Sequence, residues 1–343
     1  MSARRTELLV VGTLLLVAVV AWALIPTYPN YDAYYHLDWG RELFAGHLPS
    51  FEAYKAPTEH PLYLALCAVV GLLGPHGDRV LVLFTCLCHV AFTYAVYRLA
   101  GAIWDRRAGV AAALLAGSSF ALLLYAARAY VDEPFLALVL WAAALEAERP
   151  RREGRSAHVP LALFGAGAFT FFATSAAGLS VLPRYLTVPA VALCLPAGWL
   201  LTRSRALLVL AVVAGLAFVV VKADAFSRLA TELRFIRSTH DDLAAVLGTP
   251  QVRAARRCGA VTLPNYRLVP DTRWVLHAGP RQVGSRSARK RTSGVALLLV
   301  GDKLLRRYGF ADGASPKTNA PPDGFERGPR RGGFTAYVSC PRG

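Results

Sequence analysis

Ionisable side chains are concentrated in residues 26–61, a polar segment that directly follows an apolar run. Asp32 carries the carboxylate that a general base needs to deprotonate a hydroxyl, and its place at a predicted helix start equally suits an N-cap. Glu59 and His60 offer ligand atoms for a divalent metal ion, although a solvated loop also explains them. Lys55 lies between these groups and provides a cation for an anionic ligand.

A second acidic pair, Asp132 and Glu133, precedes Pro134 at the start of another apolar run. A carboxylate within the hydrocarbon of a bilayer costs about 2.5–3.5 kcal/mol, so both acids are expected to face an aqueous cavity. Helix initiation is the alternative, because acids before a proline are ordinary at helix starts. We treat both residues as catalytic candidates.

Two arginines and a tyrosine are candidates for holding a phosphate. Arg128 lies four residues before Asp132, and Arg184 and Tyr185 lie in a predicted tight turn before an apolar run. Cations neutralise the charge that develops on a phosphate leaving group. The alternative is that these arginines extend to lipid headgroups.

The composition places these candidates on a membrane protein. The 343 residues are 55% hydrophobic with a mean hydropathy of +0.39, which is typical of the membrane class. We predict an all-α polytopic body over residues 1–222 and a small soluble α/β domain over 223–343. Seven runs are candidate spans, namely 8–25, 80–103, 108–127, 134–147, 159–179, 186–202 and 205–222.

Basic clusters predict the orientation of these spans. Positively charged loops stay in the cytoplasm. All the basic clusters fall on one side of the membrane if the short run Leu62–Leu73 lies at the interface without spanning. These clusters are Arg4/Arg5, Arg106/Arg107, 149–155 and Arg203/Arg205. We therefore predict seven spans in the cytoplasmic membrane with the N-terminus inside. The loop 26–79 and the domain 223–343 then lie outside the cytoplasm. A helix over Asp32–Ala45 is expected at the interface, with Tyr35 and Trp39 at headgroup level.

The predicted C-terminal domain is strongly basic, with 21 Lys and Arg against 9 Asp and Glu, a net charge of +12. This charge favours contact with anionic membrane lipid, and no nucleic-acid-binding motif accompanies it. Within the domain, we predict a helix over 226–247, a helical turn over 304–308 and a loop over 311–333. Strands are predicted over 259–263, 274–276, 295–300 and 334–339.

Six cysteines are present. Four of them lie in apolar runs and act there as small hydrophobic residues. The other two, Cys258 and Cys340, lie in the predicted soluble domain and could pair if that domain faces an oxidising compartment.

Several motifs occur together in an order that resembles the GT-C glycosyltransferases, which include protein O-mannosyltransferases and aminoarabinose-type lipid transferases. The resemblance covers most of residues 8–222 and rests on the segments 31–36, 41–49, 55–63, 104–109, 128–132 and 183–189. It implies inverting transfer of a sugar from a polyprenyl-phosphate donor to an acceptor outside the cytoplasmic membrane.

The resemblance also implies residue roles. Asp32 matches the acid that activates the acceptor, and Asp132 matches a second acid of the cavity. Lys55 and Arg184 match cations near the donor phosphate, and His60-Pro61 matches the family's His-Pro before the second interfacial helix. The acceptor, whether glycan, lipid or protein, and the need for a divalent metal ion stay open.

Two other functions remain open from the sequence. A transporter or lipid flippase would have a similar composition, but such proteins place polar residues at mid-membrane in inverted repeats, and no inverted repeat is visible here. A non-catalytic membrane protein that binds a polysaccharide or a partner is the second alternative.

Overall fold

The computed structural model describes residues 3–149, 158–178, 182–221, 223–289, 291–309 and 316–340. The chain is mostly helical and carries a small sheet near its C-terminus, as predicted. It divides into two compact units. Unit 1 comprises Met1–Ile25 and Leu83–Ala230, and unit 2 comprises Pro26–Val82 and Thr231–Gly343. The polar loop 26–79, which we assigned to the membrane body, therefore groups with the C-terminal sheet.

Unit 1 is helical throughout its described part. Helices α4 and α11 contribute residues to both units. The helices are α1 (Ala3–Leu24), α4 (Gly77–Ile103), α5 (Arg106–Gly117), α6 (Phe120–Ala127), α7 (Asp132–Glu148), α8 (Val159–Ala176), α9 (Thr187–Arg203), α10 (Arg205–Val221) and α11 (Ala223–Leu247).

Within the described residues, six of the predicted spans lie on one helix each and the seventh, 108–127, lies on two, α5 and α6. Fewer than seven of these helices are long and apolar enough to cross a membrane. Four described helical segments qualify, and a fifth is possible if the bent pair α5 and α6 counts as one span. The two helices meet at an angle of 63° next to Gly117-Ser118-Ser119. Adjacent glycine and serine residues are a common cause of helix kinks. The four segments are Arg5–Leu24, Gly74–Ile103, Val159–Ala176 and Arg184–Arg203.

Glycines allow the helices of unit 1 to approach closely. A Cβ atom on Gly198 of α9 would lie 2.5 Å from the backbone nitrogen of Ala112 in α5, and one on Gly109 would lie 2.6 Å from the carbonyl oxygen of Tyr97. Real side chains do not tolerate such distances. Small residues at helix crossings are typical of membrane bundles, whose helices associate through close packing.

Unit 2 joins a helix pair to a five-stranded sheet. The pair is α2 (Tyr31–Phe44) and α3 (Pro61–Gly71). A Cβ atom on Gly40 would lie 2.6 Å from the nitrogen of Ala68, so the two backbones are nearly in contact. Helix α2 confirms the predicted element. Tyr35 and Trp39 are buried within unit 2, so these two rings do not face lipid headgroups; the position of the helix at a membrane interface stays a prediction.

The sheet has the strand order β2-β1-β3-β5-β4. Strands β2, β1 and β3 are parallel, and β5 is antiparallel to both of its neighbours. Short helices α12 (Pro250–Ala255), α13 (Val269–Leu276) and α14 (Asp302–Leu304) accompany it. The strands are β1 (Val261–Leu263), β2 (Val283–Ser285), β3 (Gly294–Leu299), β4 (Glu326–Arg331) and β5 (Phe334–Ser339).

Two predictions for this region were wrong. Residues 274–276 belong to helix α13, which begins with Pro270 in its first turn, a residue pre-set for a helix start. A three-residue apolar run cannot distinguish a strand from a helix. The predicted loop 311–333 contains the exposed edge strand β4, which turns into β5 through Gly332-Gly333; residues 310–315 lie outside the described part.

Cys258 and Cys340 form a disulfide, with their Cα atoms 5.3 Å apart. The first cysteine precedes β1 and the second follows β5, so the bond joins the two ends of the sheet region. The predicted pairing is therefore confirmed.

Candidate functional site

Asp32 lies in the first turn of α2 but does not cap it. Asn30 is the N-cap, and its side-chain oxygen accepts a hydrogen bond from the Ala33 N–H at 3.0 Å. The capping role considered for Asp32 is therefore wrong. Its carboxylate still lies where the helix dipole favours negative charge, and the cap does not depend on it.

His36, for which we predicted no chemical role, connects Asp32 to the start of α3. Its Nδ1 lies 2.7 Å from the carbonyl oxygen of Asp32, and its Nε2 accepts a hydrogen bond from the backbone N–H of His60 at 3.3 Å. A carbonyl can only accept, so Nδ1 carries the proton and the imidazole is neutral. Burial agrees with this tautomer, because it lowers the pKa of His36 to about 4.

The His36 ring also stacks on the His60 ring, with centroids 5.5 Å apart. Because Asp32, Glu59 and His36 interact electrostatically, three predicted site residues, Asp32, Glu59 and His60, lie together in unit 2. Glu59 is exposed. We call these three residues with His36 the acid–imidazole cluster.

Lys55 adopts an unusual backbone conformation in the loop between α2 and α3. Its φ is +59°, a left-handed conformation that costs a non-glycine residue about 1–3 kcal/mol. The Tyr31 hydroxyl donates a hydrogen bond to the Lys55 carbonyl oxygen at 2.6 Å and thereby holds the turn. Strain of this kind is often retained where a side chain must be aimed at a ligand.

Unit 1 brings together the remaining candidates. Arg128 ends α6, and the next residue, Ala129, has a φ of +51°. The Arg184 guanidinium lies 5.6 Å from the centre of the Tyr130 ring and 5.9 Å from that of Tyr185. The turn 128–133 and the predicted tight turn, a 3₁₀ helix over Pro183–Leu186, are therefore neighbours.

Asp132 shares this neighbourhood, because Tyr125 interacts electrostatically with both Asp132 and Arg184. Arg128, Asp132, Arg184 and Tyr185 therefore form one group in unit 1. The group combines two cations with a carboxylate at the ends of apolar helices. Such a set suits a phosphate, which pairs with arginine by charge-assisted hydrogen bonds.

Glu133 differs from its neighbour, and the expectation that it faces an aqueous cavity is wrong. Its side chain is 0% exposed, and its Oε2 lies 3.1 Å from His89 Nδ1. His89 Nε2 lies 3.0 Å from the carbonyl oxygen of Gly117 and must donate to it. One proton is therefore shared between His89 Nδ1 and the Glu133 carboxyl, an arrangement that links α4, α7 and the end of α5.

Two polar networks in unit 2 were not predicted from the sequence. Arg273 of α13 is only 2% exposed and contacts Asp38 and Glu42 of α2. Asp38 also contacts Arg41, yet burial raises its pKa to about 7. The spacing of Asp38, Arg41 and Glu42 along one helix face was the available signal, but the sequence did not reveal the distant partner.

The second network surrounds Tyr34. Its hydroxyl lies 3.1 Å from Asp78 Oδ2 and 3.2 Å from His240 Nδ1. Tyr28 stacks on the His240 ring, with centroids 3.7 Å apart. Burial lowers the pKa of His240 to about 4, so this histidine is neutral near pH 7.

Within the described ranges, no group of three or more His, Cys, Asp or Glu side chains is arranged to hold a metal ion. The metal role considered for Glu59 and His60 stays a prediction.

Comparisons with family models, with curated proteins and with solved structures found no match to this chain.

Proposed function

We propose that this protein is an integral-membrane glycosyltransferase of the GT-C type that uses a polyprenyl-phosphate sugar. The observation that carries the proposal is the acid–imidazole cluster. A buried, neutral histidine ties the backbone of Asp32 to that of His60, and these two residues match the GT-C loop acid and the following His-Pro. The exposed cation Lys55 lies between them in the sequence and in a strained turn.

In the proposed reaction, Asp32 removes the proton of an acceptor hydroxyl. The hydroxyl oxygen attacks the anomeric carbon of the donor sugar from the side opposite the phosphate. The bond from that carbon to the phosphate oxygen breaks, and the electron pair leaves with the lipid phosphate. The configuration at the anomeric carbon is inverted.

Cations stabilise the phosphate as its charge develops. Within unit 2 we assign this role to Lys55. The roles expected from the sequence for Arg128, Asp132, Arg184 and Tyr185, all in unit 1, stay predictions. Glu133 is assigned a structural role with His89, because its carboxylate is enclosed by the bundle.

The proposed setting is the cytoplasmic membrane, with seven spans, the N-terminus inside and residues 26–79 and 223–343 outside. The basic clusters of the sequence support this orientation, and four or five of the described helical segments are long and apolar enough to be spans. A membrane-impermeant maleimide applied to intact cells tests it. Glu59→Cys should be labelled and Arg149→Cys should not; the reverse pattern would overturn the orientation.

The test of the reaction is transfer from a polyprenyl-phosphate sugar in membranes that contain the full chain. Asp32→Asn keeps the side-chain size and leaves the Asn30 cap intact, and it should lower the rate by about 100-fold or more, the usual scale for loss of a general base. Asp323→Asn, which removes an exposed carboxylate from a turn, is the control. Full activity of Asp32→Asn would exclude Asp32 as the base.

A further inference from the structure

A cleft of about 730 Å³ lies within unit 2, in the size range of small-molecule sites. One wall is the segment 48–54, from the loop between α2 and α3. The other is formed by α13 and the region around edge strand β2. The side chains that give it its character are Phe51, Tyr54, Tyr266, Arg281, Arg289 and Arg291. We call it the arginine–tyrosine cleft.

The charge of this cleft is strongly positive. Arg281, Arg289 and Arg291 are exposed, and none of them forms an ion pair with another residue of the described ranges. Glu52 is the one acidic side chain among the described lining residues. Three arginines without an ion-pair partner among the described residues present planar donor groups, and such groups bind carboxylates and phosphates by paired hydrogen bonds.

Aromatic rings line the same cleft. Tyr54 is 42% exposed and Phe51 is 38% exposed. Tyr266 packs edge-on against Tyr54 at 6.2 Å and against Tyr31 at 5.6 Å between ring centroids. The electron-rich face of an aromatic ring packs well against the C–H face of a sugar. Rings and unpaired arginines together therefore fit a glycan that carries acidic groups.

The base of the cleft is held in place before any ligand arrives. Arg273, a lining residue, is buried against Asp38 and Glu42. Glu42 also accepts a hydrogen bond from the Ser50 hydroxyl at 3.0 Å, and the Arg273 guanidinium donates to that hydroxyl at 3.3 Å. The segment 48–54 is thus anchored to α2 and α13. A preformed site loses little free energy to ordering when it binds.

The cleft also lies close to the proposed general base. Tyr266 contacts Tyr31, which directly precedes Asp32, and the Tyr31 hydroxyl bonds the carbonyl of Lys55, the residue after Tyr54. A ligand on these rings would extend toward the first turn of α2. We propose that the arginine–tyrosine cleft binds an acidic glycan and that this glycan is the acceptor. The acceptor role rests on the proposed transferase function; the binding does not.

The experiment measures binding by isothermal titration calorimetry to the full chain in nanodiscs, without donor lipid. The probes are a galacturonate oligosaccharide, a phosphorylated maltooligosaccharide and a neutral maltooligosaccharide of equal length. We expect the acidic probes to bind more tightly, with the preference declining at high salt. The better acidic probe identifies carboxylate or phosphate as the recognised group.

A matched pair of variants locates the site. Arg281→Gln/Arg289→Gln/Arg291→Gln should weaken binding of the acidic probe by at least about tenfold. The control removes three arginines from strand β4, at the opposite edge of the sheet, namely Arg327→Gln/Arg330→Gln/Arg331→Gln, and should bind as the unchanged chain does. Tyr54→Ser should weaken binding of the acidic and the neutral probe alike.

Three results would overturn the proposal. The first is equal loss in both triple variants, which would mean non-specific attraction by net charge. The second is unchanged binding in the cleft variant. The third is cleft-dependent binding to phosphatidylglycerol vesicles with none to the glycans, which would make the cleft a lipid contact.

Binding and transfer are both measured on the unchanged chain, which separates this proposal from the proposed function. Binding without any transfer by the unchanged chain would leave the cleft intact as a glycan site and overturn the transferase. Transfer to another acceptor without binding would overturn the cleft alone.

Discussion

The two units of this protein achieve close packing by different means. In unit 1, helices α5 and α9 meet where Gly198 leaves no room for a side chain, and α10 exposes apolar side chains along its whole length. In unit 2, strand β3 is equally apolar but buried throughout, and the unit adds a disulfide and a buried ion network.

This difference is the one expected between a helical unit that lies in lipid and a unit that lies in water. Apolar side chains that stay exposed are unfavourable in water, but they are not unfavourable among lipid tails. Helices in lipid therefore associate through small residues and close packing. A domain in water gains from burying its apolar strands and needs partners for every buried charge. Similar hydropathy in α10 and β3 therefore leads to opposite exposure.

The largest expected effect comes from breaking the ion network of unit 2. Arg273→Met leaves Asp38 and Glu42 without their buried partner, so we expect the free energy of unfolding of unit 2 to fall by about 3–5 kcal/mol. Chemical denaturation in detergent, followed by tryptophan fluorescence, measures it. Arg253→Met, which removes an exposed arginine of α12, should change stability by less than about 0.5 kcal/mol. Similar losses in both variants would contradict the network's role.

The disulfide should have the next largest effect. Cys258→Ser/Cys340→Ser removes a bond that closes 82 residues, and the expected loss is about 2–5 kcal/mol. Thermal unfolding with and without a reducing agent checks this, because the reductant should lower the midpoint of the unchanged chain and leave that of the variant unaltered. An effect of reductant on the double variant would point to other cysteines.

In unit 1, packing should outweigh polar contacts. Gly198→Ala puts a methyl group against the backbone of α5, and we expect a loss of about 1–3 kcal/mol. Gly215→Ala on α10 meets nothing within 4 Å, so its better helix propensity should make it neutral or slightly stabilising. Unfolding of both variants by titration with a denaturing detergent gives the comparison. Equal behaviour would mean that the α5–α9 crossing is looser than the structure indicates.

The smallest effect is a pH dependence confined to unit 2. Burial lowers the pKa of His240 to about 4 from an ordinary 6.5, so the folded chain binds fewer protons than the unfolded chain between these values. Stability from this group is complete above about pH 6.5 and is lost as the pH falls toward 4. Asp38, whose pKa is raised to about 7, changes stability with pH in the opposite direction. The contribution of His240 therefore has to be isolated with a variant.

Between pH 7 and pH 4.5, the free energy of unfolding of His240→Gln should therefore fall by about 1–2 kcal/mol less than that of the unchanged chain. Melting temperatures measured by tryptophan fluorescence over this range test the difference. His47→Gln removes an exposed histidine and should follow the unchanged chain. Parallel curves for all three proteins would show that His240 is not buried in its neutral form.

Hydrophobic periodicity predicted most of the helices, because long apolar runs leave few alternatives. The sequence also predicted helix α2, the turn at Arg184 and strands β1, β3 and β5. Strand β4 was missed because its charged, exposed residues carry no alternating pattern, and its pairing partner lies beyond a glycine turn. The number of spans stays a prediction, since length and composition alone do not place a helix in a bilayer.

For the candidate site, the sequence identified residues but not their neighbours. The proximity of Asp32 to His60 depends on His36, whose role follows from two backbone contacts. The pairing of Glu133 with His89 and of Glu42 with Arg273 joins residues 44 and 231 positions apart. Contacts at such separations depend on tertiary packing, which no local pattern encodes.

The near contact of α2 and α3 at Gly40 has a consequence for how this protein could change over time. With the two helices fixed against each other, the part of their connection that lines the arginine–tyrosine cleft, residues 48–54, could be rewritten while Asp32 and Pro61 keep their positions. The preference of the cleft for one ligand over another could then change without rebuilding the helix pair.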